Sequence, residues 1–148
     1  MSAENKAVAR RLYGDVWNKR KLELLPEIMS PSHALSDPNL SDAMVGPEAY
    51  KRQVQCYLRG FPDLRLSVEE MICEKDRVVV SWVITGTHKG EFWGVAPTNK
   101  KISMQGITIN HIASGKIMDS EVSMDALGLM SQMGAFPARE KSKSNSAG

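Results

Sequence analysis

The chain has 148 residues, 42% hydrophobic and 24% charged, with a formal net charge of +2, which is one soluble domain's worth of sequence, enough for a single core. Lysine and arginine are spread along it apart from a short cluster at 139–143, so there is no basic stripe of the kind that marks a nucleic-acid binder. No run approaches the ~20 apolar residues of a membrane span, and no leader-like stretch opens the sequence. From Glu4 onward, Val8, Leu12 and Val16 recur every four positions and Tyr13 and Trp17 widen the stripe, predicting an amphipathic helix. "NKRKLELLPEIM" predicts a second helix, shortened by Pro26 and closed by Pro31,. Residues 30–45, rich in Ser, Asp, Pro and Asn, read as a loop across the surface or over a cavity, and its His33 receives no role. Gly46-Pro47 opens a third helix carrying Tyr50, Val54, Tyr57, Leu58 and Phe61 on one side,.

The second half is extended. "LRLSVEEMICE" alternates only in part, and "EKDR" is a polar hairpin turn. "VVVSWVITGTH" has the β-branched content of a buried strand,. "KISMQGITINHI" and "KIMDSEVSM" are two more strands joined by the turn "ASGK",. "DALGLMSQMG" closes with a short helix, Asp125 as N-cap and Gly134 as stop,. Three helices and then a meander predict an α+β domain over residues 1–136, with helices on one face of a curved, mostly antiparallel sheet around a conical cavity. Residues 137–148 read as a disordered tail. Cys56 and Cys73 lack metal-ligand spacing and read as reduced thiols of a cytoplasmic protein, with a disulfide left open.

The run "GTHKGEFWGVAPTNKKISMQGITINHIASGKI", with "FPDLRLSVEEMI" before it and "DALGLMSQMG" after, resembles the SnoaL-like polyketide cyclases of the nuclear-transport-factor-two-like superfamily. The resemblance implies a cone-shaped α+β barrel, a homodimer through the sheet, and chemistry without metal or organic cofactor. It also implies an intramolecular aldol closure in which a carboxylate removes a proton flanked by carbonyls. The family's catalytic Asp matches Val122 and its helping His matches Thr108. Neither group is present in this chain: valine takes no proton, and threonine offers only a hydrogen bond. Ser36, Ser81 and Met104 stand where many relatives carry His, Arg and Trp.

Alternation puts Ser120, Val122 and Met124 on one face of their strand, and Asp119, Glu121 and Ser123 on the other,. The expected cavity is apolar, lined by Met104, Thr108, Val122 and Met124 with Trp17, Tyr57, Phe92 and Trp93. Asp37 is the acid backed as catalytic, weighed against an Asx turn with Pro38. His88 stands beside it as a proton shuttle, weighed against a structural hydrogen bond. Glu121 would enter only through a β-bulge, and Asp125 would reach the mouth unless held as a cap. His111 reads as surface, and the acids and histidines show no metal spacing. Two functions stay open: an acid–base cyclase or isomerase on a hydrophobic polyketide-like or terpenoid-like molecule, and a non-catalytic binder of such molecules.

Overall fold

The computed structural model describes residues 2–135; the expected tail lies outside them. Helix α1 (Ser2–Arg10) continues as a π-helix over Arg11–Asn18. This wider turn, with i→i+5 bonding, keeps Leu12 and Val16, and likewise Tyr13 and Trp17, on one buried face,. Asn18 ends it. Its carboxamide donates to the Leu66 carbonyl and accepts from the Leu66 N–H, both at 2.8 Å, so a side chain completes the backbone pairing of an edge strand. Arg20 donates to the carbonyls of Trp17, Pro62 and Leu64, tying this corner to the turn after the third helix. The second helix is one 3-10 turn (Leu22–Leu24) and a short α2 (Leu25–Ile28).

The expected loop at 30–45 is largely a strand. β1 (Met29–Ser36) runs parallel to β6 (Lys116–Met124), and β2 (Met44–Val45) pairs antiparallel on its outer edge. The β1–β6 register shifts between Met29 and Ala34, and Pro31, which has no N–H, lies in that irregular stretch where a ladder bond is not required. Met29, His33 and Leu35 are buried, a pattern that the intervening Ser and Pro conceal.

Gly46, at φ +91, turns the chain into α3 (Pro47–Gly60), a left-handed conformation that favours glycine. β3 (Arg65–Glu74), β4 (Arg77–Thr87), β5 (Lys101–Ala113) and β6 then form an antiparallel meander. The order is β2-β1-β6-β5-β4-β3, a mixed six-stranded sheet among the described residues. Its two edges, β2 and β3, do not meet. β3 alternates only in part because its register shifts between Val68 and Glu70. Leu66 faces the core before this bulge, and Met71 and Cys73 pack against the core after it,. Both cysteines are free.

Helix α4 (Ala126–Gln132) is pinned by Gln132, whose amide bonds the Ser103 N–H and carbonyl at 2.8 and 2.7 Å. In "GTHKG", the Thr87 N–H and hydroxyl both donate to Asp63 at 2.7 Å. Those bonds hold the Asp63 carboxyl below its usual range,. A Cβ at Gly90 would run into the Arg59 carbonyl, so this motif needs glycine for close packing on the end of α3.

Candidate functional site

Between the inner sheet face and the helices lies a cavity of about 50 Å³. Its walls are Trp17, Leu35, Tyr50, Tyr57, Leu66, Trp82 and Ile84. The buried polar groups Tyr13, Thr108, Asn110 and Ser120 form its floor. Asp37, Gln53, Val122 and Met124 stand at the mouth, each also bordering an open surface hollow, as the wall residue Trp82 does. As it stands the cavity holds a few atoms, and a ligand with fused rings needs these mouth side chains to swing outward.

Each polar tip at the wall is met. The Trp17 Nε1–H donates to Tyr50 Oη at 3.0 Å, and the Trp82 Nε1–H donates to Thr108 Oγ1 at 2.9 Å. The Tyr57 hydroxyl donates to Met124 Sδ at 3.3 Å. Trp82 can lie across β5 only because residue 106 is glycine: a Cβ there would run into the indole ring. Burial lifts the ionisation of Tyr13, Tyr50 and Tyr57 above the ordinary phenol value, so all three remain neutral hydroxyls.

Three of the floor residues are joined to His33, which is outside the lining, so that four side chains from four elements are linked. His33 Nε2 lies 3.0 Å from Ser120 Oγ, Ser120 Oγ donates to Asn110 Oδ1 at 2.8 Å, and Asn110 Nδ2 donates to Tyr13 Oη at 3.1 Å. His33 and Asn110 are fully buried. Burial pushes the His33 imidazole down to about 4, with Asp119 pulling weakly the other way,. Its Nδ1 has no partner among the described residues.

Of the expected site residues, the fold brings Asp37, Trp17, Tyr57, Thr108, Val122 and Met124 to the cavity. Thr108 and Val122 face each other across β5 and β6. Asp37 is 8% exposed and also makes the Asx turn: its Oδ1 accepts the Asn39 N–H at 2.8 Å and Asn39 Nδ2 at 3.0 Å.

The others lie elsewhere. Met104 faces inward but beyond Gly106, opposite Ile84, and is not in the cavity lining. Phe92 is buried against Phe61 and Tyr57, and Trp93 stacks on Phe92 at 4.6 Å; both rings contact Tyr57. His88 Nδ1 pairs with Thr98 Oγ1 at 3.0 Å and its ring packs on Phe61, away from the cavity. Glu121 is exposed on the outer sheet face. Asp125 caps α4 by accepting the Gly128 N–H at 2.9 Å. His111 bridges Asp76 at 2.8 Å and Asp119 at 3.0 Å.

Sequence reasoning missed Tyr50, Gln53, Trp82, Asn110, and the roles of Tyr13, Ser120 and His33. Asn110 and Ser120 were within reach of it, being in phase with Thr108 and Val122 on their strands. His33 gave no signal because its strand was not recognised.

The model of the SnoaL-like polyketide cyclases matches residues 7–133. The chain belongs to this family. Among solved structures it is similar to a protein of Jannaschia sp. CCS1 assigned as a SnoaL-like polyketide cyclase. That match has 26% identity, 92% of this chain and 95% of that one covered, and a TM-score of 0.84. AclR of Streptomyces galilaeus, assigned as a hydroxylase, matches at 26% identity over 99% of this chain and 91% of its own, with a TM-score of 0.87. IdmH of Streptomyces antibioticus, assigned as a polyketide cyclase, matches at 26% over 88% and 98%, with a TM-score of 0.77. No curated protein sequence matches the chain. This SnoaL-like chain has, among the described residues, no group of three or more His, Cys, Asp or Glu placed to hold a metal ion, and no helix long and apolar enough to cross a membrane.

Proposed function

We propose that this SnoaL-like protein is a cofactor-free acid–base catalyst that cyclises or isomerises a hydrophobic, enolisable polyketide-like or terpenoid-like molecule, with Asp37 as the base. The observation that carries the reading is that, among the described residues, Asp37 is the one charged side chain lining the apolar cavity. Its Oδ1 is committed to the Asx turn, whereas Oδ2 makes no hydrogen bond among the described residues. β1 runs beside β6 with Ser36 paired to Glu121, so Asp37 stands next to Val122, the position that matches the family's acid. A carboxylate from the neighbouring strand end takes over the slot that valine leaves empty of acid.

In this reading Asp37 takes the proton from a carbon flanked by carbonyls, and the C–H electron pair passes into the enolate. For cyclisation the enolate carbon attacks a second carbonyl, and Asp37 returns the proton to the new alkoxide. The apolar walls exclude water and hold the two carbons in register. The protein acts as a homodimer through the outer sheet face, where Ile72, Ile107 and Ile109 are exposed.

The test is exchange of the acidic C–H of an aromatic β-keto ester in deuterated buffer, followed by NMR. The parent should accelerate exchange, and Asp37→Asn should lose about 10²–10⁴-fold of that acceleration. Equal rates for the two proteins would remove Asp37 from the chemistry. Binding of the ester without any exchange would leave the non-catalytic binder, the reading that Val122 favours.

A further inference from the structure

We infer that the buried chain His33–Ser120–Asn110–Tyr13 aims the Tyr13 hydroxyl, together with that of Thr108, at the negative oxygen of a bound enolate, so that the ligand enters carbonyl first. This rests on the acid–base reading above and names the group that the deep end of the cavity recognises.

The direction of the chain follows from one atom. His33 Nδ1 is buried with no acceptor among the described residues. A proton there would be an unmet buried N–H, so the neutral ring carries its proton on Nε2. Nε2–H then donates to Ser120 Oγ, whose single proton goes on to Asn110 Oδ1. That fixes the carboxamide orientation, and Asn110 Nδ2 donates to Tyr13 Oη. The reverse orientation would run every proton backward and strand one on Nδ1.

Tyr13 therefore receives an N–H from behind and keeps its own proton to give. Thr108 is in the same position: its Oγ1 accepts the Trp82 N–H, and it lines the same cavity as Tyr13. Two neutral hydroxyls, each polarised by a buried N–H, face one cavity,. Burial raises the Tyr13 ionisation and outweighs the hydrogen bonding that lowers it, so the hydroxyl keeps its proton and donates without ionising. When Asp37 takes the proton from carbon, the displaced π pair settles on the carbonyl oxygen, and these donors are already oriented toward it. Tyr13 and Thr108 touch the ligand; Asn110, Ser120 and His33 are positioning residues.

The experiment uses full-length Asp37→Asn protein, whose carboxamide stands in for the acid once it holds the substrate proton. Two probes are titrated: 4-nitrophenolate, a planar ring with a negative oxygen, and nitrobenzene, the same ring without it. Nitrophenolate should bind at least about tenfold tighter, the scale of one charge-assisted hydrogen bond, with a shifted absorbance band. Tyr13→Phe, added to that protein, should abolish most of the preference. Ser120→Ala and His33→Leu should each reduce it several-fold, and His33→Gln, whose amide N–H takes the place of Nε2–H, should restore it. Thermal melts identify any variant that fails to fold, and Ser120→Ala serves if His33→Leu does not. Equal binding of the two probes, binding of neither, or a preference that survives Tyr13→Phe would overturn the inference. A preference for nitrophenolate alongside unchanged deuterium exchange in Asp37→Asn would keep the donors and discard the base.

Discussion

His33 is a basic side chain placed where water cannot reach it, and that placement has a measurable consequence. Its imidazole falls from 6.5 to about 4 on folding. Above pH 6.5 it is neutral in both states, and its burial carries no protonation penalty. Between 6.5 and 4 the unfolded chain binds a proton that the folded chain refuses, so stability falls as pH falls, by up to about 3 kcal/mol. Urea unfolding at pH 7 and pH 4.5 should show this loss in the parent and a smaller one in His33→Gln. Carboxylates such as Asp63, held below the ordinary aspartate value, keep their contribution through this window and lose it only at more acidic pH. An unchanged loss in the variant would mean that His33 takes up its proton without unfolding. The place of Asp37 at the cavity was legible in the sequence because its polar segment read as crossing over a cavity. Met104 misled because alternation gives the face of a strand and not the depth along it: its partner Ile84 lines the cavity and Met104 does not.

At the scale of elements, the family signature turns out to spell clamps. Thr87 is held by Asp63, His88 by Thr98, Gly90 by the end of α3, and Gln132 by the Ser103 backbone. Such residues announce a fold clearly and say little about chemistry, which explains why the α+β class was readable while the floor of the cavity was not. The strand at 29–36 was hidden for a different reason. Its longer pairing, with β6, is parallel and distant in sequence, its local partner β2 is only two residues long, and Pro31 breaks the pattern at the irregular register. The join between the π-helix and β3 depends on one side chain. Asn18→Ala leaves the Leu66 N–H and carbonyl without their partner at the sheet edge. The expected loss is about 2 kcal/mol in urea unfolding, two hydrogen bonds' worth. A loss under about 0.5 kcal/mol, the lower limit for one such bond, would mean that water replaces the carboxamide.

For the molecule as a whole, the two sides of the sheet differ in kind. The inner face is covered by helices, while the outer face presents Ile72 at 56% exposure and Ile107 at 50%, a surface suited to a second copy of the chain. Sedimentation should find a dimer, and Ile107→Glu should give a monomer with unchanged circular dichroism; a monomeric parent would end the dimer reading. The meander that builds this face was visible in the sequence through its β-branched runs, and the mixed topology was not. That topology sets an order of events. β3 to β6 pair with their neighbours in sequence, but His33 meets Ser120 across 87 positions of chain. Hairpins close early and distant pairings late. A refolding chain is therefore expected to pair its antiparallel strands before His33 reaches Ser120, which would make the buried polar floor of the cavity a late product of assembly.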